Sequence, residues 1–235
     1  SSGEIAVEYM QNGRAGTIRR SESLRIHDRN AITWDDTKKV AAFVTAKDPV
    51  ILDLAKGVAA VVRTNGNNEL NADLQTAITM LKAVENLGIQ YVKDPTTPYS
   101  TYSTQGEVVD FLQFPRQTLQ YGAGDCDDLS ALFCALLESV GIRTAFITVP
   151  GHIYIAFSLG ESVDRVRAYI SHIDDLIQVE GDAWIPLEIT AVGDSFVEAW
   201  SLGARTWQKY APQSLAEIYT VEHCWTTYGP VGVFE

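Results

Sequence analysis

The sequence predicts an α+β domain in which helices come first and an antiparallel sheet follows. Three observations predict it. Apolar residues recur at helical spacing in 49–63, 71–87 and 125–140. Runs with strand character follow at 142–149, 152–159, 166–171 and 183–188, separated by turn residues. Helices and strands are therefore segregated along the chain instead of alternating as βαβ units.

Residues 4–46 mix short apolar-alternating pieces with charge, and Val40, Ala42 and Val44 predict a strand. Asp48-Pro49 then reads as an N-cap and a first helical residue. Ile51, Leu54, Ala55, Val58 and Val62 continue at helical spacing to about residue 63, and Asn65-Gly66-Asn67-Asn68 is a turn. A second helix fits 71–87, with Leu74, Ile78, Leu81 and Val84 on one face and Gly88 as terminator. Ile89-Gln90-Tyr91-Val92 reads as extended chain. The stretch 94–106, rich in Pro, Thr, Ser and Tyr, predicts a long loop of the kind that borders function. Short helices are predicted at 107–113 and near 115–119. The clearest helix spans 125–140: Leu129, Leu132, Phe133, Leu136, Leu137 and Val140 form a core-facing stripe, closed by Gly141. Pro150-Gly151 joins two strands, and the tail from Ser195, with Trp200, Trp207 and Trp225, predicts a helix plus irregular packing. The two helices in 49–88 each present a single apolar stripe, so they form a layer on the core, with 1–48 as an N-terminal extension.

Composition excludes several classes. With 46% apolar and 20% charged residues, the 235-residue chain is neither disordered nor fibrous. It can bury a core without disulfides or structural metal. A net charge of −12 argues against nucleic-acid partners and against anionic membranes. The richest apolar stretch, 40–62, is broken by Lys47, Asp48, Asp53 and Lys56, so no membrane insertion is expected. Cys126, Cys134 and Cys224 form no CxxC, and His27, His152, His172 and His223 lack metal-ligand spacing. The neighbours His223 and Cys224 are a poor chelate by themselves, so no metal or cofactor is expected.

One constellation carries chemistry. Gly122-Ala123-Gly124-Asp125-Cys126-Asp127-Asp128 opens the best helix and sets Cys126 in its first turn, where free N–H groups and the helix dipole favour a thiolate. Cys134, by contrast, sits mid-helix among apolar residues like an ordinary core cysteine. Three carboxylates beside Cys126 raise a thiol pKa, so a cationic partner is required. His152, 26 residues on and just after the Pro150-Gly151 turn, is the candidate. A third group must orient its ring. Glu188 is a single carboxylate in the apolar run Trp184-Ile185-Pro186-Leu187-Glu188-Ile189-Thr190, where an unpaired charge is costly. Asp174, Asp175 and Asp182 compete for that role from polar, turn-like stretches.

Residues 89–190 resemble the core of the transglutaminase-like superfamily, a papain-type cysteine-enzyme fold. The resemblance rests on Ile89-Gln90-Tyr91-Val92-Lys93-Asp94-Pro95, Tyr121 to Leu129 around Cys126, Leu136 to Ile142, Gly151-His152-Ile153-Tyr154-Ile155-Ala156, and the Trp184 to Thr190 run, about 100 residues in all. It implies Cys126 as nucleophile, His152 as base and acid, and Glu188 as orienting carboxylate. It places the oxyanion donor upstream of the cysteine, with Gln90 and Tyr91 as the candidates by position. Two features depart from the family: Glu188 stands where Asp is usual, and 36 residues separate it from His152, so 160–180 reads as an insertion. Asp127 and Asp128 read as helix caps, while the resemblance also allows a calcium ion near them. The resulting expectation is a catalytic domain over 49–235 that transfers an acyl group from a protein or peptide substrate. Peptidase or amidase action leads, and cross-linking transglutaminase action or an inactive protein- or cell-wall-binding module are the alternatives. Scarce cysteines suit a cytosolic protein, but the missing initiator Met and the resemblance favour an exported or tethered bacterial one, so the expected location is extracytoplasmic or periplasmic.

Overall fold

The computed structural model describes residues 2–23, 26–67, 69–95, 99–102, 106, 108–191, 193 and 195–232. The chain divides into two compact units, Ser1–Ala31 and Ile32–Glu235. The first is a hairpin of β1 (Ser2–Gln11) and β2 (Arg14–Ser23), turned at Asn12-Gly13. Both turn residues have positive φ, 51° and 75°, as a two-residue hairpin loop requires.

The second unit carries the remaining elements. β3 (Ala31–Thr33) pairs with β5 (Val109–Phe111) in a short two-stranded sheet. α1 (Pro49–Asn65) starts as expected: the Asp48 carboxylate accepts the Val50 N–H, and Pro49 fills the first turn. α2 (Ala72–Asn86) is capped by Asn71. β4 (Gln90–Tyr91), α3 (Tyr99–Tyr102), α4 (Pro115–Tyr121) and β6 (Ala123–Gly124) lead into α5 (Cys126–Glu138). From Cys126 to Leu137 every residue of α5 is buried, so this helix is the centre of the core. It packs against α1, α4 and the sheet.

That sheet has five strands: β7 (Thr144–Val149), β8 (His152–Ser162), β9 (Ile177–Val179), β10 (Asp182–Leu187) and β11 (Glu217–Thr220), in the order β11-β7-β8-β10-β9. Every pair is antiparallel. α6 (Val163–Val166) follows β8, and α7 (Phe196–Tyr210) and α8 (Val221–Trp225) complete the chain. Alternation along β8 explains its nearly continuous apolar sequence. Ile153, Ile155 and Phe157 join the core around α5, while Tyr154 and Ala156 face a second cluster with Trp184 and, at its border, Trp207 and Tyr210 of α7. This is the α+β class read from the sequence.

Several local expectations change. Val40, Ala42 and Val44 lie in or against a 3-10 helix, Thr37–Phe43, capped by Asp36. Its Val40, Ala41 and Phe43 are all buried, so core docking, not strand alternation, made this stretch apolar. The stretch predicted as a helix at 107–113 contains strand β5. The strand predicted at 166–171 is absent: β8 runs on to Ser162, and α6 and turns follow. β9 and β11 are strands the sequence reading did not separate from their surroundings. Ile32, Trp34, Val40, Phe43 and Val44 belong to the main core, so the compact unit begins at Ile32, whereas the sequence reading began its domain at residue 49.

Candidate active site

The start of α5 is fixed by a capping box in which the carboxylates of Asp125 and Asp128 serve each other's backbone. Asp125 Oδ1 accepts the Cys126 N–H at 2.7 Å, and Asp128 Oδ2 accepts the Asp125 N–H at 3.0 Å. Asp125 therefore caps the helix, the role the sequence reading gave to Asp127 and Asp128. Asp128 reinforces it and also accepts the Gln113 N–H at 2.7 Å. Asp127 is buried instead near Asp110 and Asp128. Burial first, then these neighbouring carboxylates, holds the Asp127 carboxyl well above the usual range. Asp128 is pushed up to about 7 by burial, against the pull of its two N–H donors.

Cys126 is 3% exposed. Its sulfur takes the backbone N–H of Ile153, the residue after His152. In the hairpin register Val149 pairs with His152 and Thr148 with Ile153, and this turns the Ile153 N–H away from β7. A cysteine in the first turn of a helix ordinarily has a lowered thiol pKa. The site does the reverse: burial, then the neighbouring carboxyls of Asp127 and Asp125, push the thiol well up, and only the Ile153 N–H opposes them. The resting sulfur is therefore a thiol.

β8 begins with His152, and β10, its hydrogen-bonded neighbour, delivers Glu188 one residue beyond its end. His152 Nε2 lies 2.7 Å from Glu188 Oε2. The other oxygen, Oε1, accepts the Thr190 N–H at 3.0 Å and the Thr190 hydroxyl at 2.6 Å. Burial alone raises the Glu188 carboxyl, but His152 and Thr190 outweigh it and hold the group below its ordinary value. Two of the competing acids are engaged elsewhere: Asp182 pairs with Arg143, and the Asp175 carboxylate accepts from Gln208.

Tyr91 joins the constellation. Its hydroxyl lies beside Asp125 and feels Cys126 and Glu188, so all four groups share one site. Burial, then Asp125 and Cys126, keeps this phenol protonated and hence a donor. Gln90 precedes it on the strand and so projects to the opposite face.

The supports of this site are not evident from the sequence. Tyr154 stacks on the His152 ring at 5.8 Å and 16°, and its hydroxyl donates to the Gly203 carbonyl at 3.2 Å. The same helix, α7, accepts the Glu188 N–H on the Ala199 carbonyl at 3.0 Å. Gly203 allows this approach, because a Cβ there would meet the Pro186 carbonyl oxygen at 2.6 Å. A period-2 reading of β8 would have placed Tyr154 beside His152. Nothing local marks Gly203.

Asp125, Cys126 and Asp127 bring three ligand-type atoms within 4.8 Å of one another. They fit calcium poorly. Asp125 Oδ1 holds the Cys126 N–H, its Oδ2 faces the Asp94 and Tyr99 N–H groups at 3.4 Å each, and both Asp128 oxygens hold N–H donors. A hard cation seeking six to eight oxygens finds few lone pairs there.

A cysteine opening a buried helix, set against an antiparallel sheet that carries a histidine and a carboxylate, defines a transglutaminase-like class. The chain belongs to the transglutaminase-like superfamily, whose family model matches residues 67–189. None of the curated proteins compared matches it. Among solved structures, a protease candidate from Parabacteroides distasonis is similar over 67% of this chain and 35% of its own length, with 10% identity and a TM-score of 0.34. The chain thus spans about a third of that protein, and a likeness this slight has no bearing on mechanism.

Proposed function

We propose that the chain is a cysteine-dependent acyl-transfer enzyme acting on protein or peptide amides as a peptidase or amidase, with Cys126, His152 and Glu188 as its triad. The observation that carries this reading is the 2.7 Å His152–Glu188 pair on strands that also present the Ile153 N–H to Cys126 Sγ. With Nε2 engaged by Glu188, Nδ1 is the ring nitrogen left to act as base. Because the resting sulfur is a thiol, His152 removes its proton as the sulfur attacks, instead of holding a preformed thiolate. Glu188 stays ionised and stabilises the imidazolium that forms. Tyr91, a neutral donor beside Cys126, faces the developing oxyanion. His152 then returns the proton to the leaving amine, and water resolves the thioester.

Release of new amines from denatured casein tests the reading. Wild type releases them, Cys126→Ala and His152→Ala do not, and Glu188→Gln is slowed about 10²-fold or more while its Cys126 remains alkylatable. Cleavage that survives Cys126→Ala, or full activity in Glu188→Gln, overturns it. So does a wild type that releases no amines.

A further inference from the structure

β4 is a strand with one side paired and, among the described residues, one side open. The Gln90 N–H donates to the Gly122 carbonyl at 3.0 Å, and the Val92 N–H to the Gly124 carbonyl at 2.9 Å. The Asp94 N–H turns to the same side, toward Asp125 Oδ2 at 3.4 Å. In a parallel pair the intervening residues direct their main-chain groups the other way. The N–H groups of Tyr91 and Lys93, and the Tyr91 carbonyl, therefore face outward, and among the described residues none of them has a hydrogen-bond partner. Tyr91 is 42% exposed and Val92 50%, so solvent reaches this segment. The Tyr91 side chain simultaneously reaches Cys126.

We infer that the outer edge of β4 is the main-chain docking rail of the candidate active site, on which an extended peptide substrate pairs as an added strand. This rests on the function proposed above and names how its substrate is held. An N–H, a carbonyl and a second N–H at two-residue spacing are the complement of another extended polypeptide main chain. The repeat of a glycan does not match that spacing. Unpaired edge groups are normally shielded by charge, proline or a covering element. Here the exposed Tyr91 and Val92 next to the nucleophile are uncharged, and the exposed Lys93 and Pro95 follow only at the far end of the open stretch. Main-chain pairing reads no side chain, so the rail selects for extended conformation, and sequence preference falls to the flanking surface.

Alkylation of Cys126 tests the rail without knowledge of the natural substrate. Iodoacetyl tripeptide amides and acetyl tripeptidyl chloromethyl ketones, both with randomised side chains, carry main chain on the leaving-group and acyl sides of the sulfur. Each rate is divided by that of its small parent, iodoacetamide or chloroacetone, so intrinsic thiol reactivity cancels. One or two added hydrogen bonds predict a ratio of about ten for at least one reagent. The ratio falls to about one when the reagent nitrogens are methylated. It falls likewise in Tyr91→Pro, which deletes the outward N–H while leaving those of Gln90 and Val92 on β6, and it persists in Tyr91→Ala, which keeps the N–H. Ratios near one for both peptide reagents in wild type, or ratios that survive N-methylation, overturn the rail while the triad stands. A native protein whose Cys126 resists even iodoacetamide overturns both.

Discussion

Replacing Gly203 with alanine separates helix propensity from helix placement. In an ordinary helix interior, Gly→Ala stabilises by about 1 kcal/mol. Gly203 is not ordinary: a Cβ there lies 2.6 Å from the Pro186 carbonyl oxygen, 2.8 Å from the Pro186 carbonyl carbon and 3.1 Å from the Leu187 nitrogen. All three are backbone atoms of β10, so no side chain can swing away. For the shortest contact to reach the 3.4 Å of normal packing, α7 must retreat by about 0.8 Å. Overpacking of this kind costs about 1–3 kcal/mol and outweighs the propensity gain. The net loss lowers the melting temperature by roughly 2–4 °C for each kcal/mol. The retreat also moves the Ala199 carbonyl that holds the Glu188 N–H and the Gly203 carbonyl that holds Tyr154. A misplacement near 1 Å costs on the order of 10²-fold in rate, so casein cleavage falls by at least about tenfold. Gly57→Ala in α1 is the control. Its Cβ meets nothing within 4 Å, and it gains about 1 kcal/mol with no change in activity. Thermal unfolding and casein cleavage of the two variants decide the matter. If Gly203→Ala behaves like Gly57→Ala, α7 does not seat the acid.

Three further outcomes follow from the site. Thr190→Val removes the 2.6 Å hydroxyl from Glu188 but keeps the N–H, so kcat falls with KM unchanged and Thr190→Ser restores it; a rise in KM alone contradicts a positioning role. Alkylation of Cys126 by iodoacetamide rises through and beyond pH 8.5, because burial and two carboxylates raise the thiol; a plateau already reached below pH 7 means a resting thiolate and refutes the general-base step. Asp128 titrates near 7 in the folded state and near 3.9 unfolded, so its contribution to stability is full below about pH 4 and is lost as pH rises to 7. Glu188 has the opposite sign, since its lowered carboxyl stabilises above about pH 4.3 and that gain is lost on acidification. Urea unfolding should therefore show maximal stability at mildly acidic pH; stability that climbs steadily from pH 5 to 8 contradicts the Asp128 assignment.

The parts of this chain legible in sequence are those whose signal is local. Asp48-Pro49 announces a helix start by its own chemistry, and the α5 stripe announces a core helix by its period. Glu188 was legible because a lone carboxylate in an apolar strand needs a partner, and His152 is at 2.7 Å. The misreadings lie where tertiary contacts decide. Val40 and Phe43 are apolar because they dock beneath the core, and the same residues fit a strand or a 3-10 helix. Asp125 was readable as a cap from its place ahead of Asp128, but not as the neighbour of a tyrosine 34 residues earlier. The direction of the thiol shift was not legible either, since helix dipole and carboxylates oppose each other and only burial decides between them.

Adjacent strands bring His152 and Glu188 together, although 36 positions separate them in the chain. Their spacing is set by the ladder between β8 and β10 and owes nothing to the length of the excursion between them. Lengthening a flexible connection is thermodynamically inexpensive, about 0.6 kcal/mol for each doubling. The excursion that holds α6 and β9 is therefore a place where this scaffold can diversify, gaining or losing whole elements while the His152–Glu188 pair keeps its register.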